Sequence, residues 1–208
     1  MLDLTEQLGD INVSKATIKN IEGIFQYGFD QAAESASVLF NRSMTIDQIK
    51  IHIKYGEDFM TQVESDFETC YFASVIKTMN DMNFNILFLI SEAEGIGLYH
   101  SLIGEKTASG VVTSEMIAAI GELNNILGSS FINSMANHTK TIIHTTPPYN
   151  TFDMLGAVMQ CIVLQEEFLN KEFFCADATI REKEHEGFLV RLIIMSNKDE
   201  FVEIAGNL

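Results

Sequence analysis

The chain of 208 residues has few of the residues that interrupt or crosslink a protein: no tryptophan, three cysteines and two prolines. The cysteines Cys70, Cys161 and Cys175 lie far apart and form no C-x-x-C pair. We therefore expect reduced, buried thiols rather than disulfides or a zinc site. The two prolines, Pro147 and Pro148, are adjacent, so no proline-rich linker divides the chain.

Positive charge and long hydrophobic runs are also scarce. Thirteen lysines and arginines face 29 acidic residues, which gives a formal net charge of −16. This balance argues against nucleic-acid and anionic-membrane partners, because both require basic patches. No apolar run approaches the roughly 18–20 residues that span a bilayer, and the first residues lack the basic and apolar regions of a secretory signal. We expect a cytoplasmic protein.

An apolar content of 47% is enough to form a core, and hydrophobic periodicity predicts two similar series of elements. The first series comprises a helix from Ser14 to about Asn41, strands at 49–55, 69–78 and 84–90, and a short helix at 91–102. The second comprises a long helix from Ser114 to about Asn137, an extended segment at 142–144, a buried helix at 152–164, strands at 173–180 and 187–195, and a helix at 196–204 capped by Ser196. The acidic residues Asp58, Glu64, Asp66 and Glu68 predict a solvated loop before the strand at 69–78.

The repeated order predicts an internal duplication. The letters support it, because Leu87–Glu92 resembles Leu192–Asn197 and each precedes a short helix. We expect repeats of about 14–104 and 112–208, fused into a single domain, 1–208. Strands joined by hairpins favour an antiparallel sheet, and hence an α+β fold in which two long helices and several short ones pack on that sheet.

The segment Thr113–Thr139 is the most informative part of the chain. An apolar stripe centred on Leu123 leaves polar and small residues on the opposite side of the helix. This polar ridge consists of Glu115, Ala118, Glu122, Asn125 and Ser129. Such spacing is common on solvated helices, and the pair Asn124-Asn125 costs only a few tenths of a kcal/mol per residue in helix propensity. The spacing alone does not indicate chemistry.

A resemblance to a known family adds to this interpretation. Residues 122–135 resemble the signature helix of the CheC/CheX/FliY phosphatases, which reads roughly [D/S]-x-x-x-E-x-x-N-x-x-x-G/S. Downstream, Pro147-Pro148 and Phe152–Val158 resemble the "PP…DMxGAI" segment that follows this helix in CheC proteins. With the closing hairpin and short helix, the resemblance covers essentially the whole chain.

The resemblance implies a pseudo-symmetric, CheC-like fold and an enzyme, a protein phosphatase that hydrolyses the aspartyl-phosphate of CheY-type receivers in chemotaxis or related two-component signalling. It assigns the catalytic roles to Glu122 and Asn125. We hypothesise that the Asn125 amide orients the attacking water and that Glu122 docks to the receiver lysine. No cofactor of its own is implied, since the divalent metal belongs to the receiver. The deamidase CheD is a further expected partner.

The same pattern placed on the first long helix, at an offset of 99 residues, puts Gly23 in place of Glu122 and Gln26 in place of Asn125. Lys19 falls at the first motif position, so we interpret this copy as degenerate. The second copy also departs from the motif, because Ala118 replaces the usual Asp or Ser. A weak or inactive adaptor that binds a phosphorylated receiver or a CheD-like partner is therefore an alternative, as is a dimerisation domain unrelated to signalling. The oligomeric state, including a homodimer, is left open.

Overall fold

The computed structural model describes residues 15–103, 110–165, 171–183 and 189–199, together with residues 202 and 206. The helices in this part of the chain are α1 (Lys15–Phe40), α2 (Gly56–Val63), a short 3-10 helix (Glu64–Asp66), α3 (Glu92–Ile103), α4 (Ser114–Thr139) and α5 (Leu155–Gln165). The strands are β1 (Met44–Tyr55), β2 (Cys70–Asn80), β3 (Phe84–Ser91), β4 (Ile143–Thr145), β5 (Tyr149–Met154), β6 (Glu172–Glu182) and β7 (Leu189–Asn197).

The strands form one antiparallel sheet in the order β1-β6-β7-β3-β2, and β2 then pairs with both β5 and β4. The hairpins β2–β3 and β6–β7 join at the centre of the sheet through β3 and β7. The predicted α+β fold with an antiparallel sheet is therefore confirmed.

Helices cover both faces of the sheet, because side chains alternate between its two sides along each strand. On one face α1 and α4 lie side by side, and Phe29 and Phe131 bring their ring centroids to 5.2 Å. On the other face α2 and α5 pack over a smaller core that includes Phe59 and Phe173. The two long helices thus share one layer, with their outer sides facing away from the sheet.

The strand order is what a duplication would produce. Exchanging β1 with β5, β2 with β6 and β3 with β7 leaves the order β1-β6-β7-β3-β2-β5 unchanged. The division into repeats of about 14–104 and 112–208 stays a prediction. Ser14 and Gly104, at two of the proposed boundaries, lie outside the described residues.

Two segments differ from the sequence prediction. The helix predicted at 152–164 begins only at Leu155, because Phe152 belongs to β5, where it pairs with Phe72 on β2. The predicted acidic loop contains helix α2 and the 3-10 helix, because Phe59 and Val63 are one turn apart and both bury against the sheet. In each case burial against a neighbouring element outweighed the local composition.

Smaller corrections concern one cap and one thiol. Ser196 is buried and donates a hydrogen bond to the carbonyl of Asn83, while the Asn197 side chain accepts one from the backbone N–H of Asp199. Asn197 therefore caps the helical residues that follow β7. All three cysteines are free, but only Cys175 is buried: Cys70 is half-buried and Cys161 is exposed on α5, so the expectation of buried thiols was wrong for Cys161 and only partly met by Cys70. Burial raises the pKa of the Cys175 thiol to about 12.

None of the helices in the described ranges combines the length and the apolar character needed to cross a membrane.

Candidate active site

Helix α4 carries the polar ridge, and its first turn is fixed by a cap. Thr113 has extended backbone angles, and its side chain accepts a hydrogen bond of 3.3 Å from the N–H of Met116. Such a cap satisfies one of the N–H groups that a helix start leaves unpaired. The backbone N–H of Glu115, followed by the Thr113 and Ser114 hydroxyls, holds the pKa of the Glu115 carboxyl below its usual value. The ridge therefore begins with a stably ionised carboxylate.

The structure places the predicted site residues on the outer side of α4. Ala118, Glu122 and Ser129 are exposed, and Asn125 is half-buried. Since Glu122 and Asn125 are three residues apart on a helix, their side chains are neighbours on one surface. Both can be reached from outside the molecule.

Neither of these side chains is committed to an internal contact. Within the described residues, the side chains of Glu122 and Asn125 make no hydrogen bond or ion pair, whereas the adjacent Asn124 amide donates to the Ser74 hydroxyl at 2.9 Å. The exposed carboxylate can accept and the amide can both donate and accept. These capacities are available to a second molecule.

The buried side of α4 is wider than the predicted stripe. It includes Gly121, Asn124 and Gly128, all of which turn towards the sheet. A Cβ added to Gly121 would lie 2.2 Å from Nδ2 of Asn150 on β5, and one added to Gly128 would lie 2.5 Å from Cδ1 of Ile76 on β2. The helix therefore approaches these two strands closely.

Asn124 is the residue of this region that sequence reasoning missed. It is fully buried, although it had been considered only for its cost in helix propensity. The signal that could have found it is the pair of glycines on the same side, at Gly121 and Gly128. Small residues on one side of a helix indicate close approach to another element, where a polar side chain needs an internal partner.

Helix α1 presents the same surface without the same chemistry. The pattern of buried, half-buried and exposed residues at 21–33 is the same as that at 120–132, with one exception. Glu22 is half-buried, whereas its equivalent Gly121 is buried. Gly23 is exposed, with nothing within 4 Å of an added Cβ. The Gln26 amide donates to Asp30 on its own helix at 3.0 Å. This copy lacks the carboxylate, and its amide is already engaged.

The ridge is a convex surface, so it cannot enclose a small substrate. In the part of the chain that the structure describes, no group of three or more His, Cys, Asp or Glu side chains could hold a metal ion. What the ridge can supply is one carboxylate and one amide, inserted into a pocket that another molecule provides.

The comparisons with known proteins agree with this picture. The model of the CheC-like family matches residues 116–149, which contain Glu122, Asn125 and the Pro-Pro turn. FliY from Thermotoga maritima has a similar structure, with a TM-score of 0.71 and 12% identity over 94% of this chain and 97% of that one. The chain thus has the fold of FliY, and its segment 116–149 matches the CheC-like family.

Other solved structures share this fold. The middle domain of FliM from H. pylori has a TM-score of 0.61 and 12% identity, over 94% of this chain and 100% of that one. CheX from Desulfovibrio desulfuricans has a TM-score of 0.52 and 8% identity, over 83% of this chain and 97% of that one. No curated protein sequence matches the chain. Because one fold can host several functions, the function of this chain has to be argued from its ridge.

Proposed function

We propose that this CheC-like chain is a chemotaxis-related phosphatase that hydrolyses the aspartyl-phosphate of a CheY-type receiver domain. The observation that carries the proposal is the pair Glu122 and Asn125, which lie side by side on the outer surface of α4 with no internal partner among the described residues. The CheC-like match spans both residues. The encounter would take place in the cytoplasm, the compartment that the sequence predicts.

The amide of Asn125 would enter the receiver pocket and orient a water molecule in line with the scissile P–O bond. The water oxygen forms a bond to phosphorus while the bond to the aspartate oxygen breaks, which releases inorganic phosphate and restores the carboxylate. Orientation is the main requirement in phosphoryl transfer, because the protein has little covalent chemistry to perform. An uncharged amide suits the task, since a carboxylate at position 125 would be repelled by the phosphoryl group.

Glu122 would set the docking register. Its carboxylate lies one turn before Asn125 and can accept a charge-assisted hydrogen bond from the lysine that receivers carry beside the phosphate. Ala118 and Ser129 are small and exposed, so the helix can approach the receiver closely on both sides of the pair. The divalent metal needed for the chemistry belongs to the receiver.

The test measures the decay of phosphoryl-aspartate in receivers charged with acetyl phosphate. Asn125→Ala should reduce the acceleration by about 10²-fold, the range expected when an orienting group is lost. Glu122→Lys should abolish it by placing a second cation against the receiver lysine. Asn133→Ala is the matched control, because Asn133 is exposed on the same helix about two turns beyond Asn125. Wild-type-like acceleration by both ridge variants would eliminate the proposal.

A second candidate function is an adaptor without catalysis. Two observations favour it: Ala118 replaces a motif residue, and the equivalent surface of α1 has lost its Glu. FliM of H. pylori, which shares this fold, is found in complexes with FliG and with SpeE. An adaptor of this kind would bind a receiver, CheD or a component of the flagellar switch.

Titration with phosphorylated and unphosphorylated receiver separates the two functions. A phosphatase shortens the phosphoryl lifetime at substoichiometric concentration, because each molecule turns over repeatedly. An adaptor prefers the phosphorylated form and leaves the lifetime unchanged or longer.

A further inference from the structure

The residues directly beneath the ridge form a buried polar cluster. Its members are Ser74 on β2, Asn124 on α4 and Asn150 on β5. The Asn124 amide donates to the Ser74 hydroxyl at 2.9 Å, and Ser74 pairs with Asn150 across the two strands. Gly121 has no Cβ, so the Asn150 amide lies directly against that turn of α4. The cluster thus connects one turn of the helix to two strands.

This turn is the one that carries the site. Glu122 follows Gly121, which contacts the cluster, and Asn125 follows Asn124, which belongs to it. One step along a helix is a rotation of about 100°. Any rotation or shift of α4 over the sheet at this point moves Glu122 and Asn125 with it.

Packing the helix through this polar cluster costs more free energy than apolar packing would. The Oδ1 atoms of Asn124 and Asn150 are buried and accept no hydrogen bond from the described residues. A buried polar atom without a partner costs stability, whereas an apolar side chain in the same place does not. The cluster is therefore not explained by stability.

In the first half of the chain, apolar residues occupy the positions equivalent to this cluster. The offset of 99 puts Phe25 at the position of Asn124 and Ile51 at that of Asn150. Ile51 pairs with Ala176 on β6, as Asn150 pairs with Ser74 on β2. The apolar residues Phe25, Ile51 and Ala176 are fully buried in the core. The half with apolar residues has Gly23 and Gln26 on its surface; the half with the polar cluster has Glu122 and Asn125.

We propose that Asn124 and Asn150, together with Ser74, are positioning residues that fix the direction in which α4 presents Glu122 and Asn125 to a receiver. The hydrogen bond to Ser74 selects one rotation of the helix, where apolar packing alone would tolerate neighbouring ones. The inference rests on the proposed phosphatase function for its kinetic consequence, but the orientation of the ridge can be measured separately.

The main variant is Asn124→Leu, whose side chain has the same number and branching of heavy atoms and no hydrogen-bonding group, with Asn133→Leu as the matched control. On receivers charged with acetyl phosphate, N124L should lower kcat about tenfold while the Kd for the receiver changes less than twofold, since a displacement of about 1 Å can cost up to 10²-fold in rate. N133L should change neither. A fully folded N124L with kcat within twofold of wild type would overturn the inference.

A triple variant removes the polar groups of the cluster while keeping the number of side-chain heavy atoms at both asparagine positions: Ser74→Ala, Asn124→Leu and Asn150→Leu. We expect its melting temperature to equal or exceed that of wild type while its kcat falls at least tenfold. If the cluster had only a structural role, the triple variant would instead have a lower melting temperature and an unchanged kcat. If one of these variants fails to fold, Ser74→Ala alone provides the same comparison of kcat with Kd.

A spectroscopic measurement separates this inference from the proposed function. The side-chain amide signals of Asn125 in the NMR spectrum of the free protein should shift in Ser74→Ala, which removes the hydrogen bond from a position 50 residues away, and stay in place in N133L. Absence of receiver dephosphorylation by wild type would end the phosphatase proposal. An unchanged Asn125 signal in Ser74→Ala would end the positioning role, whatever the activity.

Discussion

Two glycines of α1, Gly23 and Gly28, should respond in opposite ways to substitution by alanine, because their surroundings differ. Gly23 and Gly28 both lie inside the helix. A Cβ at Gly23 meets nothing within 4 Å, whereas one at Gly28 would lie 2.6 Å from Cε2 of Phe131. Phe131 is fully buried, so its ring has no room to move away.

Gly23→Ala should raise the free energy of unfolding by about 1 kcal/mol, the propensity difference between the two residues in a helix. Gly28→Ala should lower it, because an overpacking cost of about 1–3 kcal/mol outweighs that gain. Chemical denaturation monitored by circular dichroism measures both. Stabilisation by Gly28→Ala would show that α1 and α4 are packed less tightly than the structure indicates.

At the scale of secondary-structure elements, α1 exposes the positions equivalent to the ridge of α4 but lacks the residues of the site there. Its degenerate positions can be rebuilt with Gly23→Glu, Gln26→Asn and Asp30→Ser, which copy Glu122, Asn125 and Ser129. The third change frees position 26 from the hydrogen bond that Gln26 now donates to Asp30. In an Asn125→Ala background, the rebuilt helix should restore measurable dephosphorylation of the receiver.

The matched control for the rebuilt helix is Gly23→Glu alone in the same background, which supplies the carboxylate without the orienting amide and should stay inactive. If the rebuilt helix is also inactive, surface residues are insufficient. That result would agree with the lack of a polar cluster beneath α1, where Phe25 stands in place of Asn124. Adding Phe25→Asn and Ala176→Ser would then test whether the anchoring is the missing part.

The elements themselves were largely predictable, for reasons visible in particular residues. The long helices followed from apolar residues at every third or fourth position, and α3 from Ser91, whose hydroxyl accepts from the N–H of Glu94. Phe152 was assigned to a helix because its strand pairing with Phe72 depends on distant sequence. Asn124 was misjudged for the same reason, since its partner Ser74 is 50 residues away. Local patterns place Glu122 and Asn125 on a surface, but only the tertiary structure shows what orients them.

The whole molecule is strongly acidic, with a formal net charge of −16. An acidic receiver would therefore be repelled at long range and attracted only at the contact between Glu122 and its lysine. Raising the ionic strength from about 10 to 100 mM shortens the screening length from about 30 to 10 Å. This change removes most of the long-range repulsion and leaves close contacts less affected.

We therefore expect the association rate constant for such a receiver to rise over this salt range, as measured by stopped-flow fluorescence. Glu57→Gln with Glu68→Gln removes two exposed acidic charges remote from the ridge and should make the dependence on salt shallower. Glu122→Gln should mainly raise the dissociation rate constant, because it removes a contact formed only after docking. An association rate constant that falls steeply with salt would mean that attraction between opposite charges guides the encounter, and long-range repulsion by an acidic receiver would then be excluded.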